Sequence, residues 1–280
     1  MNREQQPALS LLAIGLIGLG ALSVIYRDFA YNWQPVPEFH PGREVLAVVC
    51  GLFMITVSVA LLFRATATVG ARLLFLFLLA WQALKIPALI AAPGLEAVWL
   101  GFGEIAMLLA GGLVVFARFS NLEGSSLFGH ITGESGVRIA QILFGLALLP
   151  VGLSHLFYVD ITAGFVPSWL PFRVGFAYLT GVGQMACGLG IVLSIFPRAA
   201  ALIETGMLTL FALLVWGPDK WFASAPYMPN MPSGPRFPLT AFLITWVIGA
   251  SAFLIATNIS SRNRGHVKSF AGQEEPVEIT

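Results

Sequence analysis

Charged residues are scarce in this sequence. Asp, Glu, Lys and Arg together make up 10% of the 280 residues, and the formal net charge is only +1. A typical soluble domain has about a quarter of its residues charged. A nucleic-acid-binding face needs clustered Lys and Arg, so this composition excludes one. Hydrophobic residues reach 57%, which is typical of an integral membrane protein, and the lipid bilayer is the predicted partner of the chain.

Cysteine and histidine are also few. The two cysteines, Cys50 and Cys187, lie in separate apolar runs without C-x-x-C spacing, so neither a disulfide framework nor a thiol-redox motif is predicted. Only one of the four histidines, His155, lies in an apolar run, which excludes a bis-histidine haem. The sequence lacks a P-loop and a G-x-G-x-x-G motif, so nucleotide-driven transport is not indicated. No metal site and no covalently bound cofactor are predicted.

What the sequence does contain is eight apolar runs, each about long enough to cross a hydrocarbon core as a helix. The runs cover residues 8–25, 45–63, 73–92, 98–117, 139–158, 174–196, 199–216 and 238–257. They lack the alternating pattern of a membrane β-barrel, so the predicted fold class is an all-α, polytopic membrane bundle of eight transmembrane helices. The first run has no convincing small-residue cleavage site after it and is predicted to be a span.

The eight runs fall into two sets of four, separated by a polar segment rich in Gly and Ser. This predicts a first four-helix repeat at 1–118, a cytoplasmic linker at 119–137, a second repeat at 138–258 and a disordered cytoplasmic tail at 259–280. Because each repeat has an even number of spans, the repeats are predicted to be parallel, with the seam between them as the usual place for a ligand. The identities at shifts of 127 and 130 residues pair Gly18 with Gly145, Tyr31 with Tyr158, Arg43 with Arg173, and Gly51 with Gly181.

Lys and Arg are unequally distributed over the connecting segments. With the N-terminus placed inside, nine basic residues fall on the inner side and six on the outer side. The inner set is Arg3, Arg64, Arg72, Arg118, Arg138, Arg198, Arg262, Arg264 and Lys268, and the outer set is Arg27, Arg43, Lys85, Arg173, Lys220 and Arg236. The positive-inside rule then predicts a multi-pass protein of a bacterial inner membrane with both termini cytoplasmic.

Polar side chains inside the apolar runs form a predicted intramembrane cluster of Gln82, Lys85, Glu104 and Gln184. Counted from the connection near Gly94, Lys85 and Glu104 lie at similar depth, so they are predicted to pair. The pair either locks the helical hairpin or, with Gln82, lines a proton or ligand site; a third possibility is that Lys85 reaches outward to the interface. Gln184 is interpreted as a helix–helix hydrogen bond, with a ligand contact as the alternative.

The end of the fifth run carries the first candidate site. Pro150 is predicted to re-aim the last turns of this helix, which carry His155. At the shift of 127 residues Asp28 corresponds to His155, so Asp28, His155 and Tyr158 are predicted to line the outer seam. An imidazole beside a carboxylate suits hydrogen bonding to a quinone headgroup, or proton transfer. The alternative is a histidine bonded to a backbone carbonyl at the membrane interface.

The segment GLALLPVGLSHLFYVDITAGFVPSWLP, followed by RVGFAYLTGVGQMACGLGIVL, resembles the DoxX family of small bacterial membrane proteins. The residues that carry the resemblance are Gly145, His155, Val166, Pro167, Leu170, Pro171, Thr180, Gly181 and Gly188. The first half resembles the four-helix unit of that family more faintly. The resemblance implies two fused four-helix membrane units and a membrane subunit of thiosulfate:quinone oxidoreductase or of another redox assembly, with quinone as the non-covalent cofactor.

Three functions are therefore open. The first is a membrane subunit or accessory of a quinone-linked redox system, with an extracytoplasmic redox protein as a possible partner. The second is a small-solute transporter that uses the intramembrane polar cluster. The third is a non-catalytic assembly factor whose proline-rich outer segment, residues 226–236, docks a partner protein.

Overall fold

A computed structural model describes residues 5–221 and 234–259 of the chain. All regular structure within these residues is helical. The predicted tail lies outside the described residues except for Ile259, as does most of the segment 226–236.

Each of the eight apolar runs forms a long helix, and all eight helices are long and apolar enough to cross a membrane. They are α1 (Gln5–Tyr26), α2 (Arg43–Leu62), α3 (Ala67–Ala91), α4 (Glu96–Phe119), α5 (Gly133–Phe157), α6 (Arg173–Val192), α7 (Pro197–Leu214) and α8 (Arg236–Asn258). The prediction of eight helices is confirmed.

The helix ends differ from the ends of the apolar runs for identifiable reasons. Helix α5 begins six residues before its apolar run, because a polar first turn with Glu134 is stable where the first helical N–H groups meet a carboxylate. Helix α6 ends four residues before its run does. Ser194 and Phe196 adopt left-handed backbone conformations there, with φ of 60° and 49°, which end the helix.

Glycine pairs set the register between the first two helices of each half. A Cβ on Gly20 of α1 would lie 2.6 Å from the carbonyl oxygen of Gly51 in α2, and a Cβ on Gly152 of α5 would lie 2.6 Å from that of Gly181 in α6. Only glycine permits backbones to approach this closely. The same contact therefore joins α1 to α2 and α5 to α6.

The order of packing is also the same in the two halves. Helix α1 packs on α2, α2 on α3, and α3 on α4; α5 packs on α6, α6 on α7, and α7 on α8. Between the halves, α4 packs on α5, α8 packs on α1, and α4 meets α8 at Gly111 and Ser251. Helices α4 and α8 consequently lie at the centre of the bundle and are its most buried helices.

Four short elements complete the described residues. The 3₁₀ turn Tyr31–Trp33 packs on α4, and Gly129–Ile131 precedes α5. The helix Val159–Phe165 follows α5, and Pro218–Trp221 follows α7. A small cavity of about 30 Å³ beside Trp33 is lined mainly by apolar side chains and has room for little more than water.

Candidate functional site

The end of α1 is closed by a clamp that is centred on Asp28. One carboxylate oxygen of Asp28 lies 2.6 Å from Nη2 of Arg43, the first residue of α2, and the other lies 2.8 Å from Nη2 of Arg236, the first residue of α8. Arg236 also donates to the carbonyl of Phe29, and its guanidinium lies 4.4 Å from the ring centre of Tyr31. The clamp therefore ties α1, α2 and α8 together at one end of the bundle.

The electrostatics of the clamp favour an ionised Asp28. Burial alone would raise the pKa of this carboxyl, but the hydrogen bonds from Arg236 and the backbone of Phe29, with the positive charge of Arg236 and a bond from Arg43, hold it below its usual 3.8. Burial raises the pKa of the neighbouring Tyr31 hydroxyl above 10.0. Asp28 is therefore a structural anion rather than a free site residue.

Lys85 and Glu104 do not form the predicted direct ion pair within the part of the chain that the structure describes. The turn after α1 lies between them: Lys85 Nζ donates to the carbonyl of Asn32, and Trp33 Nε1 donates to Glu104 at 2.9 Å. Their charges still attract each other. The hairpin of α3 and α4 was predicted correctly. The contact of the turn at residues 31–33 with this hairpin was not predicted.

Gln82 shares this region and Gln184 does not. The Gln82 amide donates to the carbonyl of Phe102 in α4 at 3.4 Å. Gln184 lies in α6 and donates to Glu204 of α7 at 3.2 Å. The interpretation of Gln184 as a helix–helix hydrogen bond is confirmed. The four residues do not form one cluster, because Gln82, Lys85 and Glu104 lie along α3 and α4 while Gln184 faces the α6–α7 interface.

His155 lies near the end of α5, half-buried against α6 and α7. Its Nδ1 lies 2.8 Å from the hydroxyl of Thr180, and its ring lies 5.9 Å from the ring of Phe211. The Thr180 hydroxyl also lies within hydrogen-bond distance of the carbonyls of Phe176 and Ala177. The tautomer of the ring decides whether Nδ1 donates to Thr180 or accepts from it, and the backbone carbonyl of Ala177 is a further hydrogen-bond partner of the imidazole, as in the alternative interpretation of this histidine.

The structure does not bring His155 and Asp28 together. Asp28 faces α2 and α8, whereas His155 faces α6 and α7. The glycine contacts also set a different correspondence between the halves: Gly20 matches Gly152, so Ser23 occupies the position of His155 and Asp28 matches Asp160. The predicted pairing at 127 residues is wrong because the glycines fix the shift of α1 against α5 at 132.

Tyr158 has a partner that sequence reasoning missed. Its hydroxyl lies beside the carboxylate of Glu96, the first residue of α4, which is only 8% exposed. Apart from this contact with Tyr158, neither oxygen of Glu96 has a hydrogen-bond partner within the described residues. The position of Glu96 in the sequence could have indicated it: Glu96 is the first residue of α4, as Arg236 is the first residue of α8.

The bundle ends that follow α1 and α5 thus carry different chemistry. In the first half, Asp28 is bound by Arg43 and Arg236. In the second half, the matching positions are Asp160, Arg173 and Glu96, and no ion pair joins these three residues. Across residues 5–221 and 234–259, no group of three or more His, Cys, Asp or Glu side chains is placed to hold a metal ion.

In the part of the chain that the structure describes, these features define a class: an all-helical bundle with eight helices of membrane-spanning length and hydropathy. Comparison with known families adds that residues 144–251, from the middle of α5 into the last turns of α8, match the model of a domain of unknown function, DUF8561. No curated protein and no solved structure matches the chain.

Proposed function

We propose that the chain spans a bacterial inner membrane as two parallel four-helix repeats with both termini cytoplasmic, and serves as a membrane subunit of a quinone-linked redox system. Support for the repeats comes from the shared order of packing and the matching contacts of Gly20 with Gly51 and of Gly152 with Gly181. Support for the orientation comes from the excess of Lys and Arg on the inner side.

The observation that carries the functional proposal is the setting of His155. Thr180 fixes the ring through Nδ1, and the aromatic face of Phe211 lies alongside it. Nε2 of the neutral ring accepts a hydrogen bond from a quinol hydroxyl when the proton is on Nδ1, and donates one to a quinone carbonyl when the proton is on Nε2. The flat headgroup would pack against the ring of Phe211.

The scaffold does not require a histidine here. Ser23 holds the matching position in α1, bonds only the carbonyl of Leu19, and permits the same close contact between glycines. The packing of α5 against α6 therefore does not account for the histidine at position 155. The resemblance of this half to the DoxX family points to the same redox role.

The test is quinone binding by protein purified in mild detergent. Wild type is expected to retain quinone and to bind added short-chain quinol, and His155→Ser, which copies the first half, is expected to lose both. His130→Ser is the matched control, because His130 lies in the turn before α5, at the opposite end of that helix. The proposal is contradicted if wild type binds no quinone or if His155→Ser binds it equally well.

Small-solute transport is the second candidate, and the contacts of Lys85 and Glu104 favour it. Both bind the turn at residues 31–33 above the apolar cavity, so release of that turn would open a path towards the space between α1 and α4. Uptake into vesicles that is abolished by Lys85→Met, with quinone content unchanged, would select this function over the first.

A further inference from the structure

A buried acid–amide pair lies near the middle of α6 and α7. Glu204 is fully buried and Gln184 is 1% exposed. The Gln184 amide nitrogen donates to Oε1 of Glu204 at 3.2 Å. A carboxyl group at this depth is costly in a membrane protein and marks a site when nothing in the packing demands it.

Each member of the pair has one polar atom left without a partner. These atoms are Oε2 of Glu204 and Oε1 of Gln184, both fully buried. Two acceptor oxygens cannot satisfy each other, whereas one proton on Oε2 of Glu204 lets it donate to Oε1 of Gln184. A single proton then satisfies both atoms and closes a ring of two hydrogen bonds.

The neighbouring helices offer Glu204 no basic partner within the described residues. Helix α6 contributes the thiol of Cys187, which lies close enough to sense the carboxyl charge, and its one basic residue, Arg173, is at its first position. The one charged residue of α8, Arg236, is held by Asp28. From α5, His155 contacts Phe211 rather than Glu204. Arg198 lies in the first turn of α7 itself, six residues before Glu204.

The first half shows that this packing does not need polar residues. Helices α2 and α6 both begin with arginine and are both 20 residues long, so Met54 of α2 is equivalent to Gln184 of α6. Helices α3 and α7 begin at Ala67 and Pro197, so Leu74 of α3 is equivalent to Glu204 of α7. Met54 and Leu74 are buried like their counterparts.

We infer that Glu204 and Gln184 form a proton-binding site inside the second half, with the proton held on Glu204 Oε2 and donated to Gln184 Oε1. The proton is taken from water when the site fills and returned to water when it empties, and no electron moves. A metal cation is a poor occupant, because it needs about six oxygen ligands and the pair offers two free ones. The inference does not depend on quinone binding.

The test is infrared spectroscopy of the purified protein in lipid. The difference spectrum of wild type minus Glu204→Gln is expected to contain the C=O stretch of a protonated carboxylic acid, and this band is expected to move to lower frequency in D₂O. Gln184→Met, which removes the acceptor but keeps the acid, is expected to shift the band to higher frequency. Glu104→Gln is the control, since it changes a carboxyl of α4 and leaves the Glu204 band in place.

Three results would overturn the inference. The first is a difference spectrum with only the carboxylate stretches of an ionised Glu204. The second is a carboxylic-acid band that Gln184→Met leaves unshifted, which would show that the acid donates elsewhere. The third is a band that disappears when Na⁺ is added at constant pH, which would assign the two oxygens to a cation. A quinone-free protein that shows the band would leave this inference standing while the quinone proposal fails.

Discussion

The ends of the two halves that follow α1 and α5 have the same order of helix packing and different side-chain chemistry. In the first half, Asp28 lies between Arg43 and Arg236 and closes the end of α1. In the second half, Asp160 and Arg173 are exposed, and Glu96 is buried beside the Tyr158 hydroxyl. Ion pairs hold the first end together, whereas among the described residues of the second end a buried carboxyl group has a neutral hydroxyl as its neighbour.

The middle of the bundle repeats this contrast. The first half places Met54 and Leu74 where the second half places Gln184 and Glu204, and Ser23 where the second half places His155. The first half forms the same packing with Met54, Leu74 and Ser23 at these positions. Gln184, Glu204 and His155 are therefore not needed to form the packing of the second half. At these positions the second half has polar groups that the packing does not need, and we propose that they form its functional site.

The clamp should be the costliest feature to break. Asp28→Ala leaves two partly buried guanidinium groups without their carboxylate, and we expect a loss of about 3 kcal/mol, reduced from the cost of a fully buried pair because Asp28 is 30% exposed. Asp160→Ala, at the matching exposed position, should cost less than about 0.5 kcal/mol. Thermal unfolding in detergent measures both, and equal losses would contradict the contrast between the two ends.

The clamp also predicts the direction of a pH effect. Because the folded protein lowers the pKa of Asp28 below 3.8, its stabilisation is complete above that pH and is lost as the pH falls through the lower folded value. The stability difference between wild type and Asp28→Asn should therefore be constant from neutral pH to about pH 5 and shrink below pH 3.8. A difference that already shrinks near neutral pH would show that Asp28 is not held as an anion.

The glycine contacts should respond equally in the two halves. Gly20→Ala and Gly152→Ala each place a Cβ 2.6 Å from a backbone oxygen of the facing helix, so each should cost about 2 kcal/mol by forcing the helices apart. Gly206→Ala is the control: a Cβ there meets nothing within 4 Å, and the helix should gain about 0.5–1 kcal/mol. Unequal costs at Gly20 and Gly152 would break the correspondence of α1 with α5.

The acid–amide pair should show strong coupling. Glu204→Leu leaves the buried Gln184 amide without its partner and should cost about 1–3 kcal/mol. Adding Gln184→Met converts the pair to the residues of the first half and should return the stability to within about 1 kcal/mol of wild type. Additive losses in the double-mutant cycle would contradict the predicted coupling. They would mean that Glu204 and Gln184 each contribute to packing independently of the other.

His155→Ser should have the smallest effect on folding. It removes the bond to Thr180, but the Thr180 hydroxyl keeps its backbone acceptors, so the expected cost is about 1 kcal/mol or less. Thermal unfolding measures this cost alongside quinone content. A loss comparable to that of Asp28→Ala would show that the histidine is part of the scaffold.

Composition and run length were sufficient to predict the eight helices, because a membrane-spanning helix must be both apolar and long. The pairing of Asp28 with His155 was not predictable in the same way. Sequence identities at Gly18 and Tyr31 suggested one shift, whereas the actual register depends on which glycines meet across α1 and α2, and this is a property of packed backbones.

The prediction that Lys85 and Glu104 pair directly was wrong, although both residues lie near the same turn. Both residues lie where the hairpin predicted them, but the turn at residues 31–33 supplies a carbonyl to one and an indole N–H to the other. A loop that folds back between two helices has no periodic signal. The Gln184–Glu204 pair was also hidden, because each residue alone has the pattern of an isolated polar group in a helix.

The most direct test of the proposed site in the second half replaces its polar residues with those of the first half, and then measures stability and quinone content. A variant with His155→Ser, Gln184→Met and Glu204→Leu should unfold within about 8 °C of wild type, which corresponds to about 2 kcal/mol, the sum of the two costs expected above, and should contain no bound quinone when both are measured in one preparation. A variant that fails to fold, or one that retains the quinone content of wild type, would contradict the account.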